Sequence, residues 1–150
     1  MSGLKIDHLG IIVADLEKAI ERFRLLTGGE PAYTKEMMEV GLKIATFEAE
    51  NISLELVEYA GDKASFAKQA MGEETGINHI SLGVDNLSKA ITEFNDAGFQ
   101  MMDGFPRDGA HGQVAFFQRD SDTGILFEIC ERVLPSYGTV IGKPTLTSID

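Results

Sequence analysis

A single cysteine in 150 residues excludes an internal disulfide. Basic residues are scarce, 13 against 24 acidic ones, for a formal charge of −11. A nucleic-acid binder would normally carry a basic stripe, so that class is disfavoured. The acidic residues are scattered, as on a solvated surface. No apolar run approaches the roughly 18 residues that a membrane span requires. The N-terminus, M-S-G-L-K-I-D-H, has no apolar signal-peptide core. These absences predict a cytoplasmic protein, or an organellar one without its transit peptide, with neither a membrane nor a nucleic-acid partner.

What the chain does have is an internal repeat. Residues 6–23, I-D-H-L-G-I-I-V-A-D-L-E-K-A-I-E-R-F, recur at 77–94 as I-N-H-I-S-L-G-V-D-N-L-S-K-A-I-T-E-F. The offset is 71 without a gap, and Ile6, His8, Val13, Leu16, Lys18, Ala19, Ile20 and Phe23 recur identically. Two long copies exclude a solenoid and indicate a duplicated half-domain. Two of the three histidines, His8 and His79, occupy equivalent places.

Each copy opens with a strand. Leu9, Ile11 and Val13 share one face, and His8, Gly10 and Ile12 the other; Ile80, Leu82 and Val84 oppose His79, Ser81 and Gly83. Each histidine therefore points away from the face that a helix would cover. Asp15 can cap the helix that follows. Leu16, Ala19, Ile20, Phe23 and Leu26 form its apolar stripe, and Gly28-Gly29 ends it. In the second copy the stripe is Leu87, Ala90, Ile91 and Phe94, and Gly98 ends it. Three strand-like stretches follow each helix, at 31–36, 41–48 and 51–59, then at 99–103, 112–118 and 125–131. The expected fold is α+β, a single domain of two β-α-β-β-β modules. Module one spans about 4–59, and a connector with a short helix at 64–71 spans 60–76. Module two spans 77–132, and an arm with two prolines spans 133–150.

The last strand of each module holds a carboxylate between apolar neighbours, in Leu54-Glu55-Leu56 and Phe127-Glu128-Ile129. Alternation puts Glu55 and Glu128 on the same kind of face as the two histidines. Two imidazoles and two carboxylates in related positions suit a divalent ion such as Co²⁺, Mn²⁺, Ni²⁺, Fe²⁺ or Zn²⁺. Four protein ligands on an octahedral ion leave two positions, enough for a bidentate oxygen substrate.

The I-D-H-L-G-I opening, the N-H-I-S start of the second copy and the glutamates of L-E-L and F-E-I resemble the vicinal oxygen chelate superfamily. Over about residues 4–132, the chain is most similar to the methylmalonyl-CoA epimerase family. The stretch P-R-D-G-A-H-G-Q-V-A-F-F, running on to F-E at Glu128, resembles that family's G-A-H-G and V-A-F signature. The resemblance implies a cup formed by two curved half-sheets. It implies metal ligands at His8, Glu55, His79 and Glu128, and an acyl-CoA thioester as substrate. The reaction implied is proton transfer at C2 through a metal-chelated enolate, with Glu128 as one acid/base. A homodimer is usual among such relatives.

The chain departs from the family in two places. Where a second catalytic glutamate is sought after Gly41, it has Lys43 and Ile44, with Glu48 in phase further along. It also has Q-R-D-S-D-T-G-I in place of H-P-K-S-T-G-G. A glyoxalase I-type isomerase is the alternative enzyme, and a non-catalytic small-molecule binding protein the alternative class. His111, between flanking glycines, is expected in a mobile gating loop and not on the metal. Cys130 is expected to be a small buried hydrophobe. Met37-Met38 and Met101-Met102 are expected in packing before any acyl pocket.

Overall fold

A computed structural model describes residues 4–132. The expected arm at 133–150 lies outside the described residues. The strands are β1 (Lys5–Ile12), β2 (Tyr33–Met37), β3 (Leu42–Glu48), β4 (Ser53–Tyr59), β5 (Gly76–Gly83), β6 (Arg107–Asp108), β7 (Gly112–Phe116) and β8 (Phe127–Arg132). The helices are α1 (Leu16–Thr27), α2 (Ser65–Met71) and α3 (Leu87–Asp96). All eight strands form one curled mixed sheet in the order β2-β3-β4-β1-β5-β8-β7-β6. In each module the first strand pairs parallel with the last, β1 with β4 and β5 with β8. The modules join through the antiparallel pair β1–β5.

The helix starts are built the same way twice. Asp15 and Asn86 sit in extended backbone and accept from the amides of Lys18 and Lys89. A glutamate from the last strand of each module completes the cap. Glu58 accepts from the Leu16 amide at 2.6 Å, and Glu131 from the Leu87 amide at 2.7 Å. Carboxylates there satisfy orphan N–H groups and complement the helix dipole. Gly28 ends α1 in the left-handed region, where a side chain would be strained.

Helices α1 and α3 cover the outer face of the sheet. Leu16, Ala19, Ile20 and Phe23 of α1 pack against Ala45, Phe47, Leu54 and Leu56. Leu87, Ala90 and Phe94 of α3 pack against Leu82, Ala115, Phe117 and Ile129. Burying a side chain such as Leu56 or Phe47 contributes about 1.5–3 kcal/mol. A third cluster, with Ile12, Ile44, Val57, Phe116 and Leu126, lines the inner face, and α2 adds Ala67 and Met71 to it. The connector helix thus forms a wall of the cup.

Two expectations fail. Leu26 is not part of the α1 stripe; like Leu25 it is largely exposed, because the packed face ends at Phe23. The stretch 99–103 is no strand, and only Met101 bridges, to Phe117. The second strand of module two lies later, at Arg107–Asp108, and is two residues long. The side chains of Phe99 and Met101 instead pack on the α3 cluster.

Candidate functional site

The four candidate ligands meet inside the cup through strand register. Gly10 of β1 lies between Glu55 of β4 and His79 of β5. Ser81 of β5 lies between His8 of β1 and Glu128 of β8. Two neighbouring rows therefore read Glu55–Gly10–His79 and His8–Ser81–Glu128. Each row has a small residue at its centre, over which the flanking side chains can lean.

His8, Glu55, His79 and Glu128 are all buried. His8 Nε2 stands 3.2 Å from Glu128 Oε1 and 3.7 Å from Glu55 Oε1, and His79 Nε2 is 4.0 Å from Glu128 Oε1. His8, Glu55 and His79 each bring one ligand atom within 4.8 Å of the others. His8 Nε2, His79 Nε2 and Glu128 Oε1 have no hydrogen-bond partner. Burying such atoms unpaired is costly, and a shared cation would satisfy them together. Imidazole nitrogens and carboxylate oxygens suit a divalent ion of borderline or hard character, so the residues present fit the group.

The other edge of each imidazole is held. His8 Nδ1 is 2.8 Å from Asp7 Oδ2, and Asp7 is gripped by Arg132 at 3.2 and 2.8 Å. His79 Nδ1 is 2.8 Å from Asn78 Oδ1, and Asn78 donates to the Met71 carbonyl at 2.7 Å. His79 also meets Phe116 edge-on, with ring centroids 4.9 Å apart.

The electrostatics of the four groups differ. Burial disfavours a charged His8, but Asp7, Glu128 and Glu55 outweigh it and raise its pKa to about 10. Burial, reinforced by Glu128, lifts Glu55 to about 7 against the pull of His8. Burial lowers His79 to about 4, so it is neutral near pH 7. Burial pushes Glu128 up, but the two histidines prevail and hold it below the usual carboxylate range.

The site opens on an apolar cavity. Glu55, His79 and Glu128 line it with Ile44, Val57 and Phe116, and Phe66, Ala67, Ala70 and Met71 close one side. Met37 lines it too, whereas Met38 is exposed and Met101 and Met102 pack on hydrophobic clusters. On the rim, Arg107 stacks on Phe66 with its guanidinium carbon 4.0 Å from the ring centroid.

The positions sought for a second acid/base do not supply one. Ile44 faces the cup and is apolar. Lys43 alternates to the helix side, in register with Glu58. Glu48 is exposed and accepts from the Ser53 hydroxyl. His111 is not a free loop residue: its Nε2 lies 3.2 Å from Thr46 Oγ1, and its ring packs at a tilt on Tyr33 with centroids 4.7 Å apart. The hairpin of module two thus reaches onto module one. Burial lowers His111 to about 4. Cys130 is buried, and desolvation pushes its thiol up to about 12, so it is no nucleophile near neutrality. Reasoning from the sequence missed the bracing pairs, although the dipeptides Asp7-His8 and Asn78-His79 repeat at the same offset as the histidines.

A duplicated β-α-β-β-β cup, with a histidine and a glutamate from each half meeting inside, defines the class of protein. The sequence profile of the Glyoxalase/Bleomycin resistance protein/Dioxygenase superfamily matches residues 7–117, and the chain belongs to that superfamily. The chain is 29% identical over 130 residues to the uncharacterized protein YqjC of Bacillus subtilis, covering 85% of this chain and 91% of that one. It is 28% identical over 132 residues to the mitochondrial methylmalonyl-CoA epimerase of Dictyostelium discoideum, covering 85% of this chain and 78% of that one. The crystal structure of hypothetical protein BH1468 from Bacillus halodurans superimposes with a TM-score of 0.77 at 29% identity, covering 91% of this chain and all of that one.

Proposed function

We propose that this protein is a divalent-metal-dependent isomerase that epimerises a methylmalonyl-CoA-like acyl thioester. The observation that carries the reading is the meeting of two imidazoles and two carboxylates, with unpaired buried atoms, at the floor of an apolar cavity. The epimerase among the relatives supports the substrate class. His8, Glu55, His79 and Glu128 would hold the ion. When bound, it supplies a positive charge that stabilises the enolate oxygen as C2 loses its proton.

Glu128 takes that proton on a carboxylate oxygen. It is buried and lines the cavity. Epimerisation also needs a proton delivered to the opposite face of C2. Glu55 is the matching carboxylate from the other module, and it lines the same cavity as Glu128. It serves as the second carrier in place of the residues sought on β3. The apolar walls exclude water, which strengthens the charge interactions of the reacting groups. Arg107, stacked at the rim, offers a cation to the anionic part of the thioester.

The test is solvent-deuterium exchange at C2 of methylmalonyl-CoA by Co²⁺-loaded protein. Chelator-sensitive exchange with inversion is expected. The symmetric carboxylate pair would equally serve a glyoxalase I-type isomerisation, so turnover of a glutathione hemithioacetal without thioester exchange would select that reaction. Neither activity, with a ligand still held in the cup, would leave a binding protein.

A further inference from the structure

The two histidines occupy equivalent positions, yet their supports are not equivalent. At the offset of the repeat, Asp7 corresponds to Asn78. An Asp7 carboxylate can only accept, so the 2.8 Å contact makes His8 Nδ1 the donor and leaves Nε2 to face the cup. Asn78 reaches the same result by a neutral route. Its amide nitrogen is committed to the Met71 carbonyl, so its oxygen must face His79 and accept from Nδ1–H. Both rings thereby present Nε2. Only His8, however, is backed by a charge, and only that charge is clamped, by both Arg132 Nε and one terminal nitrogen. Arg132 lies four residues after Glu128 on β8, so this fork ties the strand of one candidate ligand to the strand of another.

We propose that Asp7, clamped by Arg132, is the positioning residue for His8, and that this charged brace makes His8 the more firmly held of two otherwise symmetric histidines. An acceptor behind a ligating imidazole fixes the ring and raises its basicity, and losing one typically costs about 10–100-fold in metal affinity. A carboxylate acceptor does this more strongly than an amide, because the hydrogen bond is charge-assisted. Asp7→Asn should therefore keep the ring orientation while making module one resemble module two. Arg132 has a separate part. It restricts the Asp7 carboxylate to one geometry, so its loss should loosen His8 without removing the acceptor.

The inference rests on the metal site proposed above and not on the reaction. The experiment compares Co²⁺ affinity and the exchangeable Nδ1–H proton signals of the Co²⁺-loaded wild type, Asp7→Asn, Asp7→Leu, Asn78→Leu and Arg132→Gln proteins. Asp7→Leu should lose about 10–100-fold in affinity, and its His8 signal should exchange rapidly with solvent. Asp7→Asn should recover the slowly exchanging signal and most of the affinity. Asn78→Leu should lose less than Asp7→Leu. If Asp7→Leu does not fold, Arg132→Gln decides, with a several-fold loss and a faster-exchanging His8 proton expected. Wild-type affinity and an unchanged His8 signal in Asp7→Leu, or in Arg132→Gln where that variant decides, would overturn the proposal. So would an Asp7→Asn protein as weak as Asp7→Leu. A wild type that binds Co²⁺ but turns over no thioester would sink the epimerase reading and leave this comparison intact.

Discussion

Gly10 leaves the space that the His79 imidazole occupies. A Cβ built on Gly10 would stand 2.0 Å from His79 Cε1 and 2.2 Å from Nε2. The ring and the glycine face each other across the β1–β5 pair that joins the modules. The requirement at position 10 is therefore room for a neighbour, and has nothing to do with turn geometry.

Gly10→Ala should displace His79 and cost about 1–3 kcal/mol, the usual range for overpacking. Metal uptake should fall with it. Gly29 is the control, because a Cβ there meets nothing within 4 Å. Thermal unfolding and bound Co²⁺ measured on both variants check this. A Gly10→Ala protein with wild-type metal content would contradict the geometry.

His8→Ala, His79→Ala and Glu128→Ala should each strip the metal while keeping the fold. All three side chains face the cup, and the helix-packed clusters do not include them. Metal analysis with circular dichroism tests this, and full occupancy in all three variants would remove the ligand set. Glu128→Gln is the sharper probe. An amide oxygen can still coordinate but cannot take a proton, so thioester exchange should fall at least about 100-fold, the lower end for general acid/base groups.

The hairpin at Gly109–Gly112 should be tethered by its histidine. His111→Ala removes both the Thr46 contact and the ring contact with Tyr33. Backbone amides of residues 107–113 should then exchange faster, while those of α1 stay unchanged. Equal protection in the two proteins would show that the hairpin holds itself.

Much of this was legible in the sequence because period-2 alternation and an ungapped repeat are strong signals. They put His8, Glu55, His79 and Glu128 on the same kind of face from the sequence alone. Alternation says nothing about which strands become neighbours, so the place of Gly10 and Ser81 between these four side chains stayed hidden. The 99–103 stretch misled because Phe99 and Met101 are apolar for packing on α3, not for pairing. Leu26 fits the helical period, but the sheet beneath α1 does not extend far enough to cover it. Glu58 and Glu131 look like ordinary strand charges until the helix amides above them are seen.

The metal-free and loaded proteins should diverge in stability as pH rises above neutrality. In the metal-free fold, His8 is raised from 6.5 to about 10. Its contribution to stability is fully present below pH 6.5 and is lost as pH rises through 10. Glu55 is raised from 4.5 to about 7, so its contribution is present below 4.5 and lost as pH rises through 7. His79 is lowered to about 4, and its contribution is present above 6.5 and lost as pH falls through 4. Chelator-treated protein should therefore melt at progressively lower temperature between pH 7 and 10. A divalent ion must displace the His8 proton, and below pH 7 the Glu55 proton as well, so its affinity should rise about tenfold per pH unit for each proton displaced. Loaded protein should accordingly gain on the metal-free form as pH increases. Melting curves with and without Co²⁺, together with proton release on titration, test both expectations. A metal-free melting temperature that climbs from pH 7 to 10 would refute the charge assignment of His8.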